Sequence, residues 1–388
     1  MVLTRSLRLT GFSVLTLAAA VSIGGASGAL GDCGPFTDVT ADVFCPFVLE
    51  IFTLGITTGT TATTFDPASD VSRVQMAAFL SRTVDGVLQR GSRRIAMKRF
   101  WTPQNIQALS MATVSAAPLK VQSDGTSVWV SLANGSVSRV RASDGSVLRT
   151  WTGADFPQDL LLAMGRVIVT SNEIGGKLYQ IDPTQPGGSA TTVVSALGGA
   201  SYGIAFDGAR VWTANSASIS IVTPGAVIPW TVTTVAAGFQ GPSGILFDGA
   251  SVWVSDATAG KLFKLDSNGA ILQTVTVGSA PETAVYDGAN IWVPNFGSNS
   301  ISVVRSPGGS VLATLTGNGL NFPDVAAFDG RRILVTNFTG NSVSLWKAAD
   351  LTTIGSFPMP ASSAPYGACS DGVTFWVALS STVNLARF

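Results

Sequence analysis

From Pro118 to Phe388 the chain is a succession of short stretches in which apolar and polar residues partly alternate and β-branched residues are frequent. Turn pairs of the Asp-Gly or Asn-Gly kind punctuate the stretches, so each one predicts a β-strand. Residues 244–277 display four strands in a row: Gly244–Phe247, Ser251–Val254, Lys261–Leu265 and Ile271–Val277. The first two are joined by Asp248-Gly249, and the last two by Ser267-Asn268-Gly269.

The same unit recurs. Asp-Gly followed by a Trp-containing strand stands at Asp124-Gly125/Trp129, Asp207-Gly208/Trp212, Asp248-Gly249/Trp253, Asp287-Gly288/Trp292 and Asp371-Gly372/Trp376. Asp329-Gly330 precedes Ile333-Leu334-Val335, and a degenerate copy has Met164-Gly165 before Ile168-Val169. Taking Val169 and Leu334 as the tryptophan equivalents, the steps are 40, 43, 41, 39, 42 and 42 residues. Seven four-stranded units with a period near 40 predict a seven-bladed β-propeller over 108–388. The last unit stops after its third strand. Residues 108–125 align without gaps to 271–288, so Ser110 to Ser115 is expected to supply the missing outer strand and close the ring.

The first hundred residues read differently. Arg5 and Arg8, the apolar run from Gly11 to Ile23 and the small residues at 24–29 read as a secretory signal over 1–31, too short for a membrane span. Between 32 and 85 the apolar residues Phe47, Val48, Ile51, Phe52 and Leu54 recur at helical spacing. Phe65-Asp66-Pro67 is a turn. Asp70 is a candidate N-cap for a second helix with Val74, Ala77, Ala78 and Leu80 on its apolar face. A linker over 86–107 carries Arg90, Arg93, Arg94, Lys98 and Arg99 and no acid. Cys33 and Cys45 are a disulfide candidate in an oxidising compartment, whereas Cys369 reads as a small core residue.

Composition narrows the chemistry. Lys plus Arg and Asp plus Glu balance at 23 each, which gives no argument for a nucleic-acid partner. The 388 residues include no histidine, which removes the commonest general base and metal ligand.

Two resemblances follow. Phe36-x-Asp38-Val39, Ile51-x-x-Leu54-Gly55-Ile56-x-x-Gly59, Phe65-x-Pro67 and Val71-Ser72-Arg73-Val74-Gln75-Met76-Ala77 resemble one S-layer homology repeat. That resemblance implies docking onto cell-wall polysaccharide through Arg73. Gln75 stands where the family signature has glutamate, and one repeat stands where the family uses three. The frame Pro-x5-Asp-Gly-x3-Trp-Val-x-Asn, most complete at Pro281–Asn295, resembles the YVTN and NHL-type propellers, including the virginiamycin B lyase-like group. The lyase-like relatives use histidine in catalysis, and that mechanism has no counterpart here.

In a propeller the start of each first strand and the end of each second strand share one mouth of the axial tunnel. Leu119, Asp159, Tyr202, Ser243, Glu282, Asp324 and Tyr366 follow the repeat proline or its equivalent. Leu132, Asn172, Asn215, Asp256, Asn295, Asn337 and Leu379 end the second strands. Blades 4 to 6 thereby gather Asp256, Glu282, Asn295, Asp324 and Asn337, oxygen ligands that suit Ca²⁺. Asx turns at the strand ends would account for the Asn and Asp of the second set without any ligand. Tyr202 and Tyr366 offer a stacking surface for a sugar or peptide. The expected protein is a monomeric, secreted or envelope-associated propeller that binds glycan, peptide or protein. The alternative is a metal-dependent lactonase- or lyase-type enzyme working at the tunnel mouth.

Overall fold

The computed structural model describes residues 36–39, 48, 51–52, 57, 59–61, 63–80 and 110–388. The signal, the linker, Cys33 and Cys45 lie outside the described residues. The described residues form two units, one before residue 98 and one after. Among them no helix is long and apolar enough to cross a membrane.

The larger unit is an all-β, seven-bladed propeller: seven four-stranded antiparallel sheets, six of them built from consecutive strands. The axial first strands are Pro118–Ser123, Pro157–Ala163, Ser201–Phe206, Pro242–Phe247, Val285–Tyr286, Pro323–Phe328 and Pro365–Ser370. In the seventh sheet Ser110–Thr113 pairs antiparallel with Asn384–Arg387, and Met111 faces Ala386.

The Asp-to-Trp spacing has a physical cause. In five blades the aspartate Oδ2 accepts the indole N–H five residues on, as in Asp287–Trp292 at 2.7 Å. The Oδ1 of Asp287 takes the backbone N–H of Ala289 and Asn290. One carboxylate therefore folds the turn and satisfies an indole that would otherwise be buried unpaired. Gly288, at φ 97°, supplies the left-handed residue that the turn requires. The tryptophans fill the space between neighbouring blades. Trp129 packs against Leu160, Val167 and Val169 of the next blade, and Trp253 against Ile291 and Val293.

Two blades depart from the frame. In blade 6 Leu334 takes the indole's place and packs in one cluster with Phe375 of the next blade, and Asp329 binds Arg332 instead. In blade 2 Ala163 pairs with Arg166 across a two-residue turn, Met164-Gly165, with both residues at positive φ. This tighter turn shifts the count by one. Ile168, not Val169, holds the tryptophan register, and Ser171, not Asn172, ends the second strand.

The smaller unit has its own apolar cluster of Phe36, Val39 and Val48, with Phe52 and Phe65 packed on it. Asp38 ties its two halves by accepting the N–H groups of Phe65 and Asp66, and these bonds hold its carboxyl below the ordinary carboxylate range. Residues 73–80 are helical. The cap is Ser72 rather than Asp70. Gln75 N–H donates to Ser72 Oγ and Ser72 N–H to Gln75 Oε1, a reciprocal capping box. Gln75 thus has a helix-starting role, and Arg73 is exposed on the first turn beside it.

Candidate functional site at the tunnel mouth

The first strands crowd at the axis, and their side chains decide what occupies it. A Cβ added to Gly367 would lie 2.5 Å from Leu119 O and 2.6 Å from Lys120 Cα; one added to Gly244 would lie 2.9 Å from Glu282 O. Glycine at these positions lets adjacent first strands touch.

Five first strands carry a register shift within their first residues, so that two residues oppose one on the second strand. A sixth shift lies in the last blade, between Pro365 and Ala368. In blades 1, 2 and 6 a hydroxyl of the second strand fills the gap: Ser131 accepts Lys120 N–H, Thr170 accepts Asp159 N–H and Thr336 accepts Val325 N–H. The bulge re-aims the chain, and counting from the proline misjudges what it presents. Gln158, not Asp159, follows Pro157, and Lys120 is a member of the axial group that the proline rule passes over.

Lys120 is only 4% exposed. Its Nζ lies 3.5 Å from Asp324 Oδ1, donates to Thr283 Oγ1 at 3.3 Å and sits 4.0 Å from the centre of the Tyr366 ring. Gln158 Nε2 donates to Tyr366 Oη at 2.7 Å. One lysine of blade 1 therefore touches blades 5, 6 and 7. Thr283 and Val325 form a parallel bridge, which sets the preceding residues, Glu282 and Asp324, side by side on neighbouring blades.

The charges perturb one another. Burial works against the Lys120 ammonium, but Tyr366, Asp324, Asp159 and Glu282 outweigh it and hold the group above its ordinary value. Asp324, 7% exposed, is raised because burial costs the carboxylate more than Lys120 returns. Burial and the neighbouring Asp324 push Glu282 up to about 8, against the pull of Lys120. Burial likewise raises Asp159 to about 6. At neutral pH a protonated Glu282 stands beside the Lys120–Asp324 contact and can donate a hydrogen bond or a proton.

The other three oxygen residues from the sequence pattern are fully buried and bonded within their own blades, except that Asn295 Oδ1 has no hydrogen-bond partner among the described residues. Asp256 accepts the N–H groups of Gln240, Gly241 and Ala259. Asn295 donates to Ser300 and Ser302, and Asn337 to Ser342 and Ser344. Among the described residues no three Asp, Glu or Cys side chains converge as a metal-binding group.

The rim of the mouth is aromatic over blades 5 to 7. Phe296 and Phe322 stack edge to face with centroids 4.7 Å apart, and Phe338 meets Tyr366 at 6.0 Å. Phe338 N–H donates to Phe322 O, so the two ring pairs start from one turn of blade 6.

No protein-family model matches the chain, and no curated protein matches it. Solved structures do. A streptogramin B lyase is 16% identical with a TM-score of 0.61, over 72% of this chain and 96% of that one. A catalytically inactive histidine-to-alanine form of virginiamycin B lyase from Staphylococcus aureus, with quinupristin, is 17% identical with a TM-score of 0.60, over 72% and 97%. The WD40 propeller domain of Doa1 gives 14% and 0.58, over 71% and 94%. The likeness is one of fold, distantly related to the virginiamycin B lyase-like propellers.

Proposed function

We propose that this chain is a secreted or envelope-associated binding propeller, with the blade 5–7 side of its tunnel mouth as the ligand site and the N-terminal repeat as its attachment to wall polysaccharide. The observation that carries this reading is the clustering of Glu282, Asp324 and Tyr366, each directly after its first-strand proline, around Lys120, which stands two residues after Pro118; the same two places in blade 4 hold Ser243 and Gly244. The propeller frame does not require these groups, since the remaining blades close without them. Binding is favoured over turnover because the lyase in the comparison is inactivated by loss of a histidine, and this chain has none.

The test is retention of ligand from an envelope extract by the purified full chain, against the Glu282→Gln/Asp324→Asn variant. Loss of the captured ligand with an unchanged melting temperature supports the mouth as the site; equal capture refutes it. For the attachment role, Arg73→Ala is expected to release the protein from isolated envelopes, and full retention would end that assignment.

A second reading, a lactonase- or lyase-type enzyme using calcium, draws on the protonated Glu282 as a general acid. It expects calcium-dependent turnover of a lactone panel that disappears in Glu282→Gln.

A further inference from the structure

The turns that ring the mouth are built alike and furnished unlike. The residue before each first-strand proline, or before Ser201 in blade 3, accepts a backbone hydrogen bond from the residue that follows the second strand, as Ala117 does from Ala133, Ala280 from Phe296 and Ala364 from Ser380. Ala280, Phe322 and Ala364 all take left-handed backbone there, at φ 48°, 53° and 46°. Alanine is thus sufficient for the turn, and a bulky Phe322 at positive φ is more strained than the alanines it parallels. Phe322 is 36% exposed. Its neighbour Phe338 is part-exposed, and both leave ring surface uncovered at the edge of a charged tunnel. The turn does not explain these rings.

What lies beside them selects the occupant. Asp159, Glu282 and Asp324 face a single ammonium, Lys120. Lys120 is committed to Asp324 and Thr283. Among the described residues the Glu282 carboxyl has no hydrogen-bond or ion-pair partner; only burial and its two charged neighbours act on it. The ligand that complements this surface has flat faces of C–H groups for the rings and a positive charge for the unmatched acid.

Resting on the binding reading above, we propose that the mouth over blades 5 to 7 is a subsite for an oligosaccharide bearing a free amino group, with a pyranose face on Phe322 and Phe338 and the amine at Glu282. A neutral amine arriving at the protonated carboxyl takes its proton. The product is an ammonium–carboxylate pair with no net proton uptake from solvent.

The experiment is calorimetry of the full chain at pH 7 with a glucosamine tetramer and with the N-acetylglucosamine tetramer. The free-amine tetramer is expected to bind at least tenfold more tightly. Phe338→Ala is expected to weaken it tenfold or more, and Glu282→Gln to abolish the preference for the amine. Phe156→Ala, on the exposed Phe156 turn of blade 2 (68% exposed), should leave binding unchanged. Melting temperatures taken alongside separate lost binding from lost fold; a Phe338→Leu variant, which keeps the bulk without the ring, serves if alanine unfolds the blade. Equal affinity for the two tetramers, binding of neither, or indifference to both ring variants overturns the proposal. If neither tetramer binds while envelope ligand is still captured through Glu282 and Asp324, the sugar assignment falls and the binding site stands.

Discussion

Lys120→Met deletes the charge that sits over the Tyr366 ring and keeps a side chain of similar length. It strands Asp324, a 7%-exposed carboxylate, without its cation. Removing one partner of a buried pair costs roughly 3–5 kcal/mol. A second route gives the same size. The stranded carboxylate escapes by binding a proton, and from its reference value of 3.8 this costs at most about 4 kcal/mol at pH 7 and about 1 kcal/mol at pH 4.5. The variant should therefore melt on the order of 10 °C lower at pH 7, and most of that deficit should disappear at pH 4.5. Thermal unfolding followed by tryptophan fluorescence at the two pH values measures both. Adding Asp324→Asn should recover part of the loss at pH 7. A deficit that is equal at both pH values, or absent at pH 7, would show that Lys120 contributes packing alone and refute the argument.

Other expectations follow from neighbouring features. Gly367→Ala drives a methyl into the backbone of Leu119 and Lys120 and should cost about 1–3 kcal/mol or more in urea unfolding, whereas alanine at the open Gly330 should be limited to the strain of its φ of 92°. Glu282 binds its proton more tightly folded, at about 8, than at the reference value of 4.5, so stability that is complete below about pH 4.5 should decline as pH rises through 8. Glu282→Gln should flatten that decline in a pH series of thermal melts. Asp287→Ala leaves the buried Trp292 N–H unpaired and should cost about 1–3 kcal/mol; Asp329→Ala, whose side-chain partner is the part-exposed Arg332, should cost less.

The propeller was legible because its repeat is held by chemistry that leaves a spaced signature: an aspartate, a glycine at positive φ and an indole that needs the aspartate. Glu282 and Asp324 could be picked out because they interrupt a position that varies between blades. Lys120, two residues after Pro118, is not reached by the same count, whereas Gln158, directly after Pro157, is the residue that count gives in place of Asp159. A bulge places two residues opposite one, and sequence spacing does not record it. The signal that could have found Lys120 is a lone charge within the otherwise apolar start of a first strand, in Pro118-Leu119-Lys120-Val121. Asp256, Asn295 and Asn337 look alike in sequence whether they hold a ligand or their own blade; the serines two or more residues on, Ser300, Ser302, Ser342 and Ser344, are what engage the two asparagines. The off-by-one in blade 2 has a similar origin, since Met164-Gly165 closes a shorter turn than Asp-Gly does.

The reach of Lys120 also bears on how the ring comes together. Repeat proteins can gain stability one unit at a time, because each unit touches only its neighbours. Lys120 does otherwise: its bond to Thr283 spans 163 residues, and its other partners lie in the sixth and seventh blades. No arc of two, three or four blades starting at blade 1 contains these contacts. They form together when the circle is complete, which gives a modular chain an all-or-none term at its centre and makes a partly assembled propeller less stable than its blade count alone would suggest.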